Sequence, residues 1–291
     1  MKLILRNPLC PGDILMMTCA IRDLHLAYPN KYKTDVRSPC NEIFENNHYI
    51  TPIKDEEADR IIQVEYPLIH QSGITGFCFN DGHRMFLENE LKIKIPKTSM
   101  RPMIVLNQSE INWINPVKQE CGYSGKYWIL NAGSKNDYTL KQYPFYQEVV
   151  NLLKDKVQFV QVGHDSHIHE RIEGTIDMRG KTDIRQLFRL SYHAEGAVCP
   201  VTLQMVIMQA FAKPCVIVAG GREGMRWQAH NDHVFLHTNG LLPCCLTDGC
   251  WKSRWDDCQN KVNNIPKCMI LIRPEDIARA IMLYYEGGRL S

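Results

Sequence analysis

Short unbroken apolar runs alternate along this chain with longer stretches in which apolar residues recur at helical spacing, and turn-forming residues mark the joins. The first run, 2–6, reads as a short buried strand followed by a turn at Asn7-Pro8-Leu9-Cys10-Pro11-Gly12. Asp13 then reads as the N-cap of a helix, ILMMTCAIRDLHLAY, that Pro29 stops. Further strands are predicted at 33–36, 60–65 and 103–106, with a short helix at 41–46 and another at 83–91. Residues 107–126 are polar and broken by Asn115-Pro116 and Cys121-Gly122-Tyr123-Ser124-Gly125, which predicts a linker. Alternation then restarts, with strands at 127–131, 157–162, 197–199 and 214–219 and helices at 141–154, 183–193 and 202–211. A last helix, 274–286, opens at Arg273-Pro274 and ends before Gly287-Gly288. The pattern predicts an α/β protein of two doubly wound units, 1–118 and 119–291.

Composition narrows this picture. At 291 residues and 44% hydrophobic, the chain has enough apolar material for a core in each half, and disorder is excluded. Thirty-four basic against thirty-two acidic residues leave a charge of +2, which argues against nucleic acid or an anionic membrane surface as the main partner. The start, Met1-Lys2-Leu3-Ile4-Leu5-Arg6, is too short for a signal-peptide core. No run approaches the roughly 18 apolar residues of a membrane span, so a cytoplasmic protein is expected.

Cysteines supply the most specific local signal. Of twelve, five crowd into the polar stretch 243–269, where Cys245-x4-Cys250-x7-Cys258-x9-Cys268 offers four thiolates, with Cys244 as the alternative to Cys245. A segment too short and polar for its own core, carrying four soft ligands, predicts a metal knuckle holding zinc or iron. Four sulfurs leave no open coordination position, so such a metal is structural.

The remaining chemistry lies in turns. Gly12 lets the backbone approach a ligand after the first strand, and Asp13 beside it reads either as a helix cap or as a general base. In the second half five turns open at the carboxyl ends of predicted parallel strands, where ligands of such sheets bind. They are Asn131-Ala132-Gly133-Ser134-Lys135, Gly163-His164-Asp165, Gly180-Lys181-Thr182-Asp183, Pro200-Val201-Thr202 and Gly220-Gly221-Arg222-Glu223. Glycines, hydroxyls and helix N-termini around one crevice suit a phosphate-bearing ligand. Gly180-Lys181-Thr182 is not a P-loop, because five residues rather than four separate it from Gly174, and no G-x-G-x-x-G follows the first strand. His164, His167 and His169 share one turn, which reads as a solvated loop rather than a metal site.

Taken together, PGDILMMTCAIRDLHLAYP, YWILNAGSKNDYTLKQYPFYQEVV, QFVQVG and IDMRGKTDIRQLFRLSYHAEGAVCPVTLQMVIMQAFAKPCVIVAGG resemble glycosyltransferase family 9, the ADP-heptose:lipopolysaccharide heptosyltransferases. The resemblance implies two Rossmann-like domains in the GT-B arrangement, acceptor side first and nucleotide-sugar side second. It implies an inverting transferase that needs no catalytic divalent metal, with Asp13 as base and an ADP-sugar as the favoured donor. By position it gives Lys141 to the donor phosphate, Thr182 to the nucleoside and Thr202 to the diphosphate at a helix N-terminus. Gly12, Asn131, Gly133, Ser134, Gly163, Lys181, Pro200, Gly221 and Arg222 complete the expected donor lining. The cysteine stretch is similar to the insert of bacterial autotransporter heptosyltransferases, where four cysteines hold iron. One departure stands out: Val206 occupies the place of a family histidine. Transfer to a hydroxylated DNA base or a protein acceptor, and a catalytically inactive binding protein of the same fold, are the competing expectations.

Overall fold

The computed structural model describes residues 1–65, 76–112, 116–133, 140–167, 169–228, 230–252 and 254–285. In the first half, β1 (Lys2–Arg6), α1 (Pro11–Ala27), β2 (Lys33–Arg37), β3 (Arg60–Gln63) and α2 (Phe79–Leu91) follow one another. Among the described residues the three strands form a parallel sheet in the order β2-β1-β3. Leu3, Ile4 and Leu5 are fully buried, as expected for a central strand covered on both faces. Two short helices, α3 (Gln108–Asn112) and α4 (Pro116–Cys121), lead to the second half.

There β4 (Trp128–Asn131), α5 (Tyr146–Leu153), β5 (Phe159–Val162), β6 (Ile176–Asp177), α6 (Ile184–His193), β7 (Gly196–Cys199), α7 (Leu203–Ala210), β8 (Cys215–Gly220), α8 (Met225–Gln228) and β9 (His233–His237) succeed one another. The six strands are parallel in the order β6-β5-β4-β7-β8-β9. This is the doubly wound order, and its switch point lies between β4 and β7. A small hairpin, β10 (Lys261–Val262) with β11 (Ile265–Pro266), then α9 (Lys267–Ile270) and α10 (Pro274–Tyr285), close the chain.

The period of two along each strand divides the core. Trp128, Leu130, Val198, Val216 and Val218 join one cluster with Val149, Val150 and Leu153 of α5 and Ile277 and Ile281 of α10. Ile129, Ala197, Cys199, Ile217 and Ala219 face the other side, where Met205, Ile207 and Met208 of α7 meet Leu15, Met16 and Met17 of α1 in one cluster. That second cluster therefore runs through both halves and fixes α1 against α7. Gly196 is required by packing, since a Cβ there would lie 2.6 Å from the Trp128 ring.

Several sequence-derived expectations are corrected. The strand predicted at 103–106 is absent: the Met103 N–H donates to Thr18 Oγ1 at 2.8 Å and the Val105 carbonyl accepts from Arg185 at 3.0 Å, so side chains occupy groups a ladder would use. The linker is not structureless, because Asn107 and Glu110 cap α3 reciprocally, Glu110 N–H to Asn107 Oδ1 at 2.9 Å and Asn107 N–H to Glu110 Oε2 at 2.8 Å. Helix α1 begins at Pro11, which fits the first turn because no N–H is needed there, so Asp13 is not the cap but lies within the first turn. Helix α2 starts earlier than expected, at Phe79, and α5 later, at Tyr146. Strand β9, framed by His233 and His237, was hidden by its polar ends.

The segment joining the halves is clamped by side chains of the second. Arg185 of α6 is 8% exposed and donates to both carboxylate oxygens of Glu110, at 2.9 and 2.6 Å. Gln209 donates to the Met100 carbonyl at 2.8 Å, and Arg101 pairs with Asp232 at 2.7 Å. A bidentate, nearly buried guanidinium–carboxylate pair is geometrically specific.

Candidate active site

A cavity of about 540 Å³ opens between the N-terminal turn of α1 and the ends of β4, β5 and β7, at the switch point where such sheets take ligands. Gly12 and Asp13 belong to its first-half wall; Asn131, Gly133, Lys141, Gly163, Thr182 and Thr202 line the opposite side. These eight include both halves of the sequence-derived site. The N-terminal turns of α1 and α7 nearly touch, a Cβ on Gly12 falling 3.6 Å from Leu203 Cα. Two helix N-termini therefore face one space, which favours an anion.

Other expected residues sit elsewhere. Lys181 donates to the Asp177 carbonyl at 2.8 Å and does not line the cavity, nor does Pro200. Gly221 and Arg222 belong to a different, smaller cavity. Ser134 lies outside the described residues. Gly133 and Gly163 are glycines partly because a Cβ at either would strike the His169 ring, at 2.9 and 2.5 Å. The histidine turn is more than a solvated loop: His164 and His167 line the cavity. Among the described residues no group of three or more His, Cys, Asp or Glu is arranged to hold a metal ion.

The sequence reading also missed Cys10, Cys40 and Phe79 on the cavity wall. Phe79 stands at the start of α2, whose signal was Asp81 reaching back to the Cys78 N–H at 3.0 Å. Its ring lies 5.7 Å from that of Trp227, in the second half. Behind it, fully buried His83 faces the Asp13 carbonyl with Nε2 at 3.1 Å. A carbonyl only accepts, so Nε2 carries the proton. Burial pushes the His83 pKa down to about 4, leaving a neutral ring that pins the turn carrying Asp13. Lys141 Nζ meets Glu223 Oε1 at 2.8 Å and donates to the Val201 carbonyl at 2.9 Å, just before the α7 N-cap.

The cysteine stretch lies next to this site. Cys244, Cys250, Cys258 and Cys268 line a cavity of about 20 Å³ with Gly221 and Arg222. Cys245, first choice from the spacing, is instead buried with its thiol donating to the Thr238 carbonyl at 3.2 Å. Burial raises the pKa of the Cys250 thiol and pushes that of Cys268 up to about 11. As a donor set, four thiols around one space suit zinc or iron.

No protein-family model matches the chain, and no curated protein sequence does. Solved structures do. A glycosyl transferase family 9 protein from Veillonella parvula superposes with a TM-score of 0.71 at 11% identity, over 99% of this chain and 98% of that one. The iron-containing dodecameric glycosyltransferase TibC of enterotoxigenic E. coli gives 0.69 at 13%, over 98% and 76%. The E. coli ADP-heptose LPS heptosyltransferase II gives 0.63 at 15%, over 99% and 100%. TibC has also been solved with ADP-D-beta-D-heptose, and E. coli WaaC with ADP. The chain thus has the α/β fold of the family 9 glycosyltransferases, two Rossmann-like halves in the GT-B arrangement.

Proposed function

We propose that this protein is an inverting, heptosyltransferase-like glycosyltransferase that moves a sugar from a nucleotide-diphosphate donor to an acceptor hydroxyl. The observation that carries the reading is the cleft itself, in which a carboxylate on one helix N-terminus faces a lysine and a second helix N-terminus across the switch point. On this reading residues 1–118 receive the acceptor and 119–291 the donor. Asp13 takes the acceptor proton as its oxygen attacks the sugar C1 on the face opposite the diphosphate. The C1–O bond breaks, its electron pair leaves with the nucleoside diphosphate, and the configuration inverts. Lys141 and the N–H groups at the start of α7 balance the charge that develops there. An ADP-sugar is the favoured donor, because the neighbours TibC and WaaC are described with ADP-heptose and ADP.

The reading includes a structural metal at the thiol cavity, iron or zinc, held by Cys250, Cys258, Cys268 and Cys244; TibC is described as iron-containing. A ligand set of four thiolates leaves the metal no part in the chemistry. The competing reading of a binding protein without catalysis draws on Val206, which lines the cavity in place of a family histidine. Asp13→Asn separates the two. Transfer is expected to fall by about 10² to 10⁴ while the Kd for the donor stays unchanged, since a general base acts on the proton and not on donor binding. Unchanged transfer in Asp13→Asn contradicts the assignment of the base.

A further inference from the structure

Behind the cleft wall lies a buried carboxylate that no step above uses. Glu223 is 3% exposed, and two cations converge on its Oε1: Lys141 Nζ at 2.8 Å and Arg222 Nη1. Lys141 also donates to the Val201 carbonyl beside the α7 N-cap. An ammonium set there is repelled by the positive end of the helix and by the Arg222 guanidinium. A carboxylate in contact with both cations offsets both repulsions and fixes where the ammonium stands.

The loop bearing Glu223 is held from behind by the cysteine stretch. The Cys250 N–H donates to the Gly221 carbonyl and the Trp251 N–H to the Arg222 carbonyl, both at 2.9 Å. Absent side chains permit this approach. Gly220 has φ +61, and a Cβ on Gly221 would lie 2.8 Å from Cys245 Sγ. Adjacent residues therefore serve two sites, Arg222 at the thiol cavity and Glu223 at Lys141.

We propose that Glu223 is a positioning residue which holds Lys141 at the N-terminus of α7 and thereby sets the affinity of the cleft for the donor diphosphate, an inference that rests on the nucleotide-sugar reading above. Glu223 touches no substrate; it acts through Lys141. Its removal is expected to weaken donor binding and raise KM, and to lower kcat as far as Lys141 balances the charge that develops on the leaving diphosphate, while the proton transfer at Asp13 is left intact.

The test is calorimetric titration with ADP of the full chain, Glu223→Ala, Glu223→Gln, Lys141→Ala and the Lys141→Ala/Glu223→Ala double variant, each with its Tm recorded. Glu223→Ala is expected to raise the Kd by at least about tenfold, the scale at which small misplacements act. Glu223→Gln, which keeps an oxygen for the ammonium, loses less, and in the Lys141→Ala background the second change adds almost nothing. Should Glu223→Ala fail to fold, Glu223→Gln with and without Lys141→Ala carries the same comparison. An unchanged Kd overturns the proposal, as does a loss of equal size with or without Lys141. Tighter ADP binding in Glu223→Ala also overturns it, making the carboxylate a competitor of the phosphate. No ADP binding by the unmodified chain would instead remove the nucleotide-sugar reading with ADP as donor, and this inference with it.

Discussion

At the scale of single residues, the environment of Asp13 is the most constrained part of the cleft. Its turn is started by Pro11, lies against Leu203 through Gly12, and is pinned at the Asp13 carbonyl by His83. Because burial lowers the His83 pKa from 6.5 to about 4, the unfolded chain takes up this proton before the folded one does as pH falls. Its contribution to stability is therefore complete above pH 6.5 and lost as pH falls toward 4. His233, lowered to about 3 for the same reason, adds a second loss with the same sign. Thermal unfolding as a function of pH is expected to show Tm falling through this window, with a shallower fall in His83→Gln, where only His233 and weaker sites remain. Equal slopes in the two proteins would mean that His83 does not carry a buried, neutral ring.

Among the elements, the cysteine stretch combines the clearest sequence signal with a placement that spacing could not give. Elemental analysis of purified protein is expected to find one iron or zinc per chain, with metal lost in Cys258→Ser and Cys244→Ser and retained in Cys245→Ser. Retention in Cys244→Ser with loss in Cys245→Ser would reverse the choice, and metal-free native protein would end the metal reading. Spacing leaves Cys244 and Cys245 open because what separates them is remote in sequence: the Cys245 thiol donates to the Thr238 carbonyl, while Cys244 lines the thiol cavity. The strand–helix order of the second half was legible because β4, β7 and β8 are buried on both faces and read as unbroken apolar runs. The segment at 103–106 has the same composition but gives its backbone groups to Thr18 and Arg185, partners remote in sequence. Glu223 carries no signal of its own in its glycine turn, since its pairing depends on Lys141 arriving from another part of the chain.

For the whole molecule, the two sheets supply complementary parts of one site, and the shared core between α1 and α7 sets their distance. The Gly-Asp turn, the Lys141 segment and the Thr202 helix start were each readable as motifs, and the structure gathers all three around the cavity. What the motifs could not show was the support behind them, His83 on one side and Glu223 on the other. Such residues carry no local signature, because burial and pairing are properties of the assembled chain. Among the described residues no helix is long and apolar enough to cross a membrane.

The central claim is that the cleft binds a nucleotide-linked sugar through its diphosphate. It is tested most directly by a thermal-shift panel of ADP-, UDP-, GDP- and CDP-linked sugars on the intact protein and on Lys141→Ala. A ligand that binds only the native state stabilises it by about 2.7 kcal/mol at a hundredfold excess over Kd, enough to move Tm by several degrees. The account predicts a selective rise with an ADP-linked sugar that is lost in Lys141→Ala. No rise with any of the four, in folded protein, would contradict it.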